Sequence, residues 1–243
     1  MIAAFSRLPT LVTLIVMLLV SNGIAFAILT LSRRFGRKYH IVGVPAVGAF
    51  ATACGALCSL LFSFTIVTLW NADTRAESNV DAEAQAIQSI ARDMRHDQLP
   101  LVHAYLAASI AEWPSLCGGG DFSRSDDALD TLQNQAAPRD AAHDDDLFRQ
   151  FTALDNLRGQ RLRASESGAP PELWTALVVL PLALFVVLAF TFLENTTYQA
   201  ALMITFAAAI GVVFWVATLL DFPFCGGTSV SPQPLLDALR VIG

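Results

Sequence analysis

Apolar and polar positions alternate along the chain on a coarse scale: two apolar stretches, a long polar block, then two more apolar stretches. Leu8–Leu31, Ile41–Trp70, Leu173–Leu193 and Ala200–Leu220 contain no Asp, Glu, Lys, Arg or His. A helix crosses about 30 Å of hydrocarbon in roughly 20 residues, and each stretch reaches that length. The pattern predicts an all-α, four-span transmembrane protein with a helical extramembrane domain inserted between spans two and three. The expected organisation is spans one and two in residues 1–72, the acidic helical domain in 73–171, spans three and four in 172–221, and an extramembrane C-terminal tail in 222–243. An even number of spans puts both termini on one side, and the inserted block with them. Ala25-Phe26-Ala27 has the small-x-small form of a signal-peptide cleavage site, but the apolar run outlasts a usual h-region and reaches Arg33. A retained membrane anchor is expected.

Span two carries the densest pattern. Small residues recur every fourth position at Ala51, Gly55, Ser59 and Ser63, a helix-packing row that lets a second helix approach closely. Trp70 is placed for an interfacial anchor. No Gly or Pro interrupts Asn71–Ile87, so one long helix is expected to leave the membrane. On that continuation Asp73, Glu77 and Asp81 fall at i, i+4 and i+8, an acidic row that would form cation-attracting rings around an axis of several helices. Arg75, Asn79 and Glu83 make a second polar row, expected as a solvated face or an intersubunit contact.

Further helices are expected in the block. Leu99–Glu112 carries an apolar stripe of Leu99, Val102, Tyr105, Leu106 and Ile110, stopped by Pro114. Ser125–Gln135 follows, with Ser125 as its cap, and Ala136–His143 reads as a connector. Asp144–Ser165 places Leu147, Phe148, Phe151, Leu154, Leu157 and Leu162 at helical spacing, acids early and arginines late as the helix dipole favours. Pro170-Pro171 punctuates the approach to span three. Beyond span four, Pro234–Val241 predicts an amphipathic surface helix through Leu235, Leu236, Leu239 and Val241.

Charge refines this picture. The chain of 243 residues is 54% hydrophobic with a net charge of −6, which excludes a basic nucleic-acid footprint. Asn71–Glu172 holds eighteen acidic residues against nine arginines, so anionic headgroups would repel it. Ser32–His40 packs Arg33, Arg34, Arg37 and Lys38 into nine residues, and the positive-inside rule assigns it to the cytoplasm. The N-terminus and the acidic block then face outward, although Arg158, Arg161 and Arg163 near span three pull the other way. Cys54 and Cys58 lie in span two, one turn apart, and read as small apolar packing residues. Cys117 and Cys225 sit outside the spans, on one face by parity, each followed by glycines. They are either a disulfide or two unrelated thiols.

Recognisable catalytic chemistry is lacking. His96, His103 and His143 form no spaced ligand set, and His143-Asp144-Asp145-Asp146 is as well explained by a solvated helix start as by a divalent ion. The chain contains no phosphate loop, nucleophile elbow or zinc-protease helix. Asn195-Thr196-Thr197 is formally a glycosylation sequon, but it lies in a very short loop on the face opposite the block. Spans free of ionisable residues argue against a transporter built on a buried carboxylate. Neither enzymatic activity, a cofactor nor a metal is expected.

Three segments together resemble the bacterial bestrophin-like family of membrane proteins: Phe62-Ser63-Phe64…Leu69-Trp70…Arg75…Glu83-Ala84; Leu154-Asp155…Leu157-Arg158…Pro170-Pro171…Leu173-Trp174; and Asp221…Pro223-Phe224…Gly226…Ser229-Val230-Ser231-Pro232. True bestrophins are pentameric ion channels with four spans, a pore lined by span two, and a helical domain between spans two and three that lies in the cytoplasm. The resemblance implies a multi-pass protein of the bacterial inner membrane, with Cys58, Leu61, Phe62, Phe64, Thr65 and Thr68 as pore-lining candidates. Its partners would be the lipid bilayer, further copies of the chain and small inorganic ions. The expected function is an oligomeric passive ion channel, the Asp73/Glu77/Asp81 row biasing its mouth toward cations. The competing expectation is a non-conducting sensor or accessory subunit whose acidic domain binds a protein partner. Charge counting places the block on the periplasmic face, and the resemblance places it in the cytoplasm.

Overall fold

A computed structural model describes residues 9–39, 45–117, 120–136, 144–166, 168–191, 196–226 and 228–242. Its helices are α1 (Thr10–Tyr39), α2 (Pro45–Asp93), α3 (Leu99–Ala111), α4 (Ser123–Gln135), α5 (Asp144–Glu166), α6 (Pro171–Thr191), α7 (Thr196–Leu220) and α8 (Gln233–Ile242). Four helical stretches among the described residues are long and apolar enough to cross a membrane, supplied by α1, α2, α6 and α7. The all-helical, four-span plan is thereby established, and the protein is a multi-pass membrane protein. His143, Asn195 and most of the Ala136–His143 connector lie outside the described residues.

The chain divides into two compact units, residues 1–70 with 169–221 and residues 71–168 with 222–243. In the first, α1 packs on α7 and α6. At most 28% of each span's most apolar window is buried within the chain, so large side chains such as Leu19, Phe26, Leu60 and Ile204 face outward. Inside a bilayer, lipid tails are as apolar as leucine, and helices associate through close packing instead. Gly211 supplies the closest approach: a Cβ there would stand 2.6 Å from Ser21 Oγ and 3.1 Å from the Met17 carbonyl oxygen. Around this crossing Ala25, Leu29, Phe62, Leu177, Leu184, Phe185, Met203 and Ala207 form a core. Polar ties close it, with Trp215 Nε1 donating to the Thr10 carbonyl at 3.1 Å and the Gln199 amide donating to the Ala189 carbonyl.

The second unit is a soluble-style helical core. Val80, Ile87, Ile90, Val102, Tyr105, Leu106, Leu132, Leu154 and Leu235 are each 0% exposed. Burying an aliphatic or aromatic side chain of this size contributes about 1.5–3 kcal/mol, which water, unlike lipid, supplies here.

Several expectations are corrected by the packing. The basic segment from Ser32, read from the sequence as the connection between spans one and two, is helical as far as Tyr39 and continues α1. Helix α4 starts at Ser123, and Ser125 does not cap it: the Ser125 N–H donates to Glu112 Oε1 at 2.8 Å, so a carboxylate from the end of α3 satisfies that turn. On α5 the buried stripe runs Leu147, Phe151, Leu154, Arg158, Arg161 and Ser165, while Phe148 is 74% exposed. Arg158 and Arg161 join the end of that stripe because each finds a buried partner, Ser125 and Glu83 respectively, while Leu157 is half-buried and Leu162 packs partly buried against the same core. Helix α8 is amphipathic, as expected, and lays its apolar face on the unit's core: Leu235 and Ala238 are buried and Leu239 packs beside them, while Val241, expected on that face, is 75% exposed.

Candidate functional site

Helix α2 runs unbroken for 49 residues through the apolar and acidic stretches. Its pore-lining candidates divide between two faces. Cys58, Phe62 and Thr65, spaced at i, i+4 and i+7, are buried in the core of the membrane unit. Phe62 meets Phe214 edge-on, with ring centroids 6.1 Å apart, and Thr65 Oγ1 donates to the Leu61 carbonyl. Phe64 and Thr68 lie on the open face, with Leu61 half-buried between. The open face also carries Leu57, Leu60 and Val67, which were not singled out from sequence. Their signal was present: 57, 60, 64 and 67 are a helical row of large apolar side chains. Thr68 and Ser59 satisfy their hydroxyls on the Phe64 and Gly55 carbonyls.

The small-residue row is likewise shared. Ala51 and Gly55 are half-buried, and a Cβ on Gly55 would rest 3.9 Å from Leu184 Cδ2. Ser59 and Ser63 remain exposed on the isolated chain. Past Trp70, the inward positions of α2 become Ala76, Val80, Ala84 and Ile87, all buried. Asp73 is half-buried while Glu77 and Asp81 are exposed. Burial, reinforced by the charge of Glu77, pushes the Asp73 carboxyl above its usual range.

Glu83 overturns the expectation of a second exposed polar row. It is 0% exposed and accepts from Arg161 Nε at 2.8 Å, from Arg161 Nη2 at 3.1 Å and from the Tyr105 hydroxyl at 2.7 Å. Burial and the carboxylate beside it hold Tyr105 well above the usual phenol range. The Arg161 guanidinium also lies over Trp113, 5.3 Å from the ring centroid. Nearby, Arg158 donates to Ser125 Oγ at 2.7 Å and pairs with Asp126. The one sequence clue to Glu83 was its apolar company at helical spacing, Val80 and Ile87.

Cys117 and Cys225 form a disulfide across 108 residues, with Cα atoms 5.0 Å apart. Gly226, with φ of 86°, turns the chain next to it in a conformation that favours glycine. Cys54 and Cys58 are free thiols. Among the described residues, no group of three or more His, Cys, Asp or Glu is arranged to hold a metal ion.

Four apolar helices, with a disulfide-linked helical unit inserted after the second, define a class of multi-pass helical membrane protein. The bestrophin-like domain family matches residues 10–235, and the chain belongs to that family. Solved structures agree in fold. A crystal structure of a bacterial bestrophin homolog from Klebsiella pneumoniae is 12% identical, with a TM-score of 0.65 over 94% of this chain and 95% of that one. Two variants of that homolog give TM-scores of 0.69 and 0.68 at 11% and 13% identity, over 94% and 96% of this chain and 97% and 95% of theirs. No curated protein sequence matches.

Proposed function

We propose that this protein is an oligomeric, passive ion channel in which α2 lines the path. The observation that carries the reading is the unpartnered face of α2. Leu57, Leu60, Phe64 and Val67 are 57–68% exposed along one side, and Ser59, Ser63 and Thr68 flank them. A ring of copies would bring such faces together as an apolar constriction with a hydroxyl margin, the type of construction that gates by dewetting. Family membership supports the same assignment. Beyond the constriction, Asp73, Glu77 and Asp81 would line the mouth and raise the local cation concentration. The remaining pore-lining candidates, Cys58, Leu61, Phe62 and Thr65, support that surface from behind. Catalysis plays no part in this function.

The helical unit is assigned to the periplasmic face of a bacterial inner membrane. Two features support this: the Arg33/Arg34/Arg37/Lys38 cluster at the end of α1, and a Cys117–Cys225 disulfide, which persists in oxidising compartments and is rare in the cytosol.

The decisive experiment is flux through purified protein in liposomes, with particle imaging of the same preparation. A ring with an axial path and saturable cation flux is expected. Monomeric or dimeric particles that pass neither cations nor anions would overturn the reading.

A further inference from the structure

We infer that the Cys117–Cys225 bond is an exchangeable disulfide, opened at Cys117 by a dithiol reductant, whose state is relayed through Trp113 to α2. The inference concerns the helical unit alone and does not depend on conduction.

The two cysteine residues are unequally exposed. Cys225 is 5% exposed, whereas Cys117 is only half-buried. An incoming thiolate therefore meets Cys117 Sγ. A new S–S bond forms there, the Cys117–Cys225 bond breaks, and its electron pair leaves on Cys225 Sγ, which takes up a proton. The second thiolate of the dithiol then attacks the mixed disulfide and releases Cys117 as a thiolate that protonates. Overall the protein disulfide gains two electrons and two protons, and the dithiol becomes a disulfide.

Trp113, four residues before Cys117, gives this bond a mechanical consequence. Its indole N–H donates to the Val230 carbonyl at 3.1 Å, and its ring meets Phe224 edge-on at 5.7 Å. Both partners belong to the segment that Cys225 anchors. The face of the same ring carries the Arg161 guanidinium, which in turn holds both oxygens of Glu83 on α2. One side chain thus touches the cross-linked C-terminal segment and the buried ion pair. Once the bond opens, the segment that carries Phe224 and Val230 loses its covalent tie and is held by the Trp113 contacts and by apolar packing, with Leu235 and Ala238 buried and Leu239 and Ile242 partly so. Movement of Phe224 and Val230 frees the indole, and the indole frees Arg161.

Hydrogen–deuterium exchange on the full-length protein in nanodiscs, oxidised and after dithiothreitol, tests this. Reduction should add two alkylatable thiols without unfolding. Exchange should rise about tenfold or more in 228–242 and also in the α2 turns around Glu83, residues 80–87. In W113L the rise should remain in 228–242 and vanish from 80–87. A C117S/C225S variant should reproduce the reduced pattern without reductant. The inference is overturned if the folded protein yields no new thiols. It is equally overturned if reduction loosens 228–242 and leaves 80–87 unchanged in the wild type, an outcome that needs neither variant to fold.

Discussion

Arg161 grips both carboxylate oxygens of Glu83, 78 positions earlier in the chain, in a pair whose side chains are 1% and 0% exposed. Desolvating two charges is costly, and the geometry offsets that cost only while both partners are present. Tyr105 completes the pair by donating to Glu83 Oε1. Removing one member leaves a buried charge without its counterion. E83Q and R161M should each lose about 3–5 kcal/mol of stability, while the double variant E83Q/R161M should lose less than the sum. Y105F, which removes one hydrogen bond to a charged group, should lose about 1.5–3 kcal/mol. Chemical denaturation of detergent-solubilised protein measures all four. Additive losses would show that the pair does not act as a unit.

The α1–α7 crossing at Gly211 makes a second prediction. A methyl group there would press on Ser21 Oγ and on the Met17 carbonyl oxygen, and a backbone oxygen cannot rotate away. G211A should cost about 1–3 kcal/mol, the usual range for overpacking, and G211V more. S21A in the G211A background removes the nearer clash, at 2.6 Å, but not the one at 3.1 Å, so rescue should be partial. Thermal melts of the four proteins decide it.

These two sites show how far the sequence can be read. The spans were legible because a bilayer demands long runs without charge, and such runs survive in any local context. The helical unit was legible as helices but not as an assembly. Glu83 and Arg161 sit on their own helices like ordinary surface charges, and only their 78-residue separation closing in space makes them core. Ser125 looked like a cap because serine caps many helices, yet Glu112 from another helix performs that task. Phe148 and Arg158 exchanged expected environments because the α5 stripe follows its partners and not its hydrophobicity alone. On α2, the family resemblance named pore-lining candidates without showing which side the rest of the chain covers. That required Phe214 and Leu184 to be in place.

Asp221 predicts a pH dependence. It is buried just past α7, outside the apolar span that ends at Leu220, accepts from the Ala169 N–H at 2.6 Å, and has its pKa raised by burial, against the opposing pull of that N–H and of the Trp174 side chain. A carboxyl whose folded pKa exceeds its unfolded one favours the folded state when protonated. That contribution is complete below the unfolded value of about 3.9 and is lost as pH rises through the folded value. D221N stays neutral and keeps an oxygen for Ala169. It should therefore melt higher than wild type at about pH 7, with the difference shrinking as pH approaches about 4. A constant offset across that range would remove Asp221 titration as the cause.

Phe62 and Phe64, two residues apart, should separate stability from flux. Phe62 is 8% exposed and sits edge-on to Phe214 inside the membrane unit, whereas Phe64 is 68% exposed on the open face of α2. F62A leaves a cavity among Phe214, Leu177 and their neighbours and should cost about 3–5 kcal/mol, the range for a buried phenylalanine truncated to alanine. F64A should leave the melting temperature of the isolated chain within about 0.5 kcal/mol equivalents of wild type, as an open surface position does. Where α2 faces meet around a conducting axis, the same truncation widens and wets the constriction. Liposome flux should then rise in F64A and not in F62A once insertion is matched. Equal flux in F64A and wild type, with a stable oligomer present, would move the constriction away from Phe64.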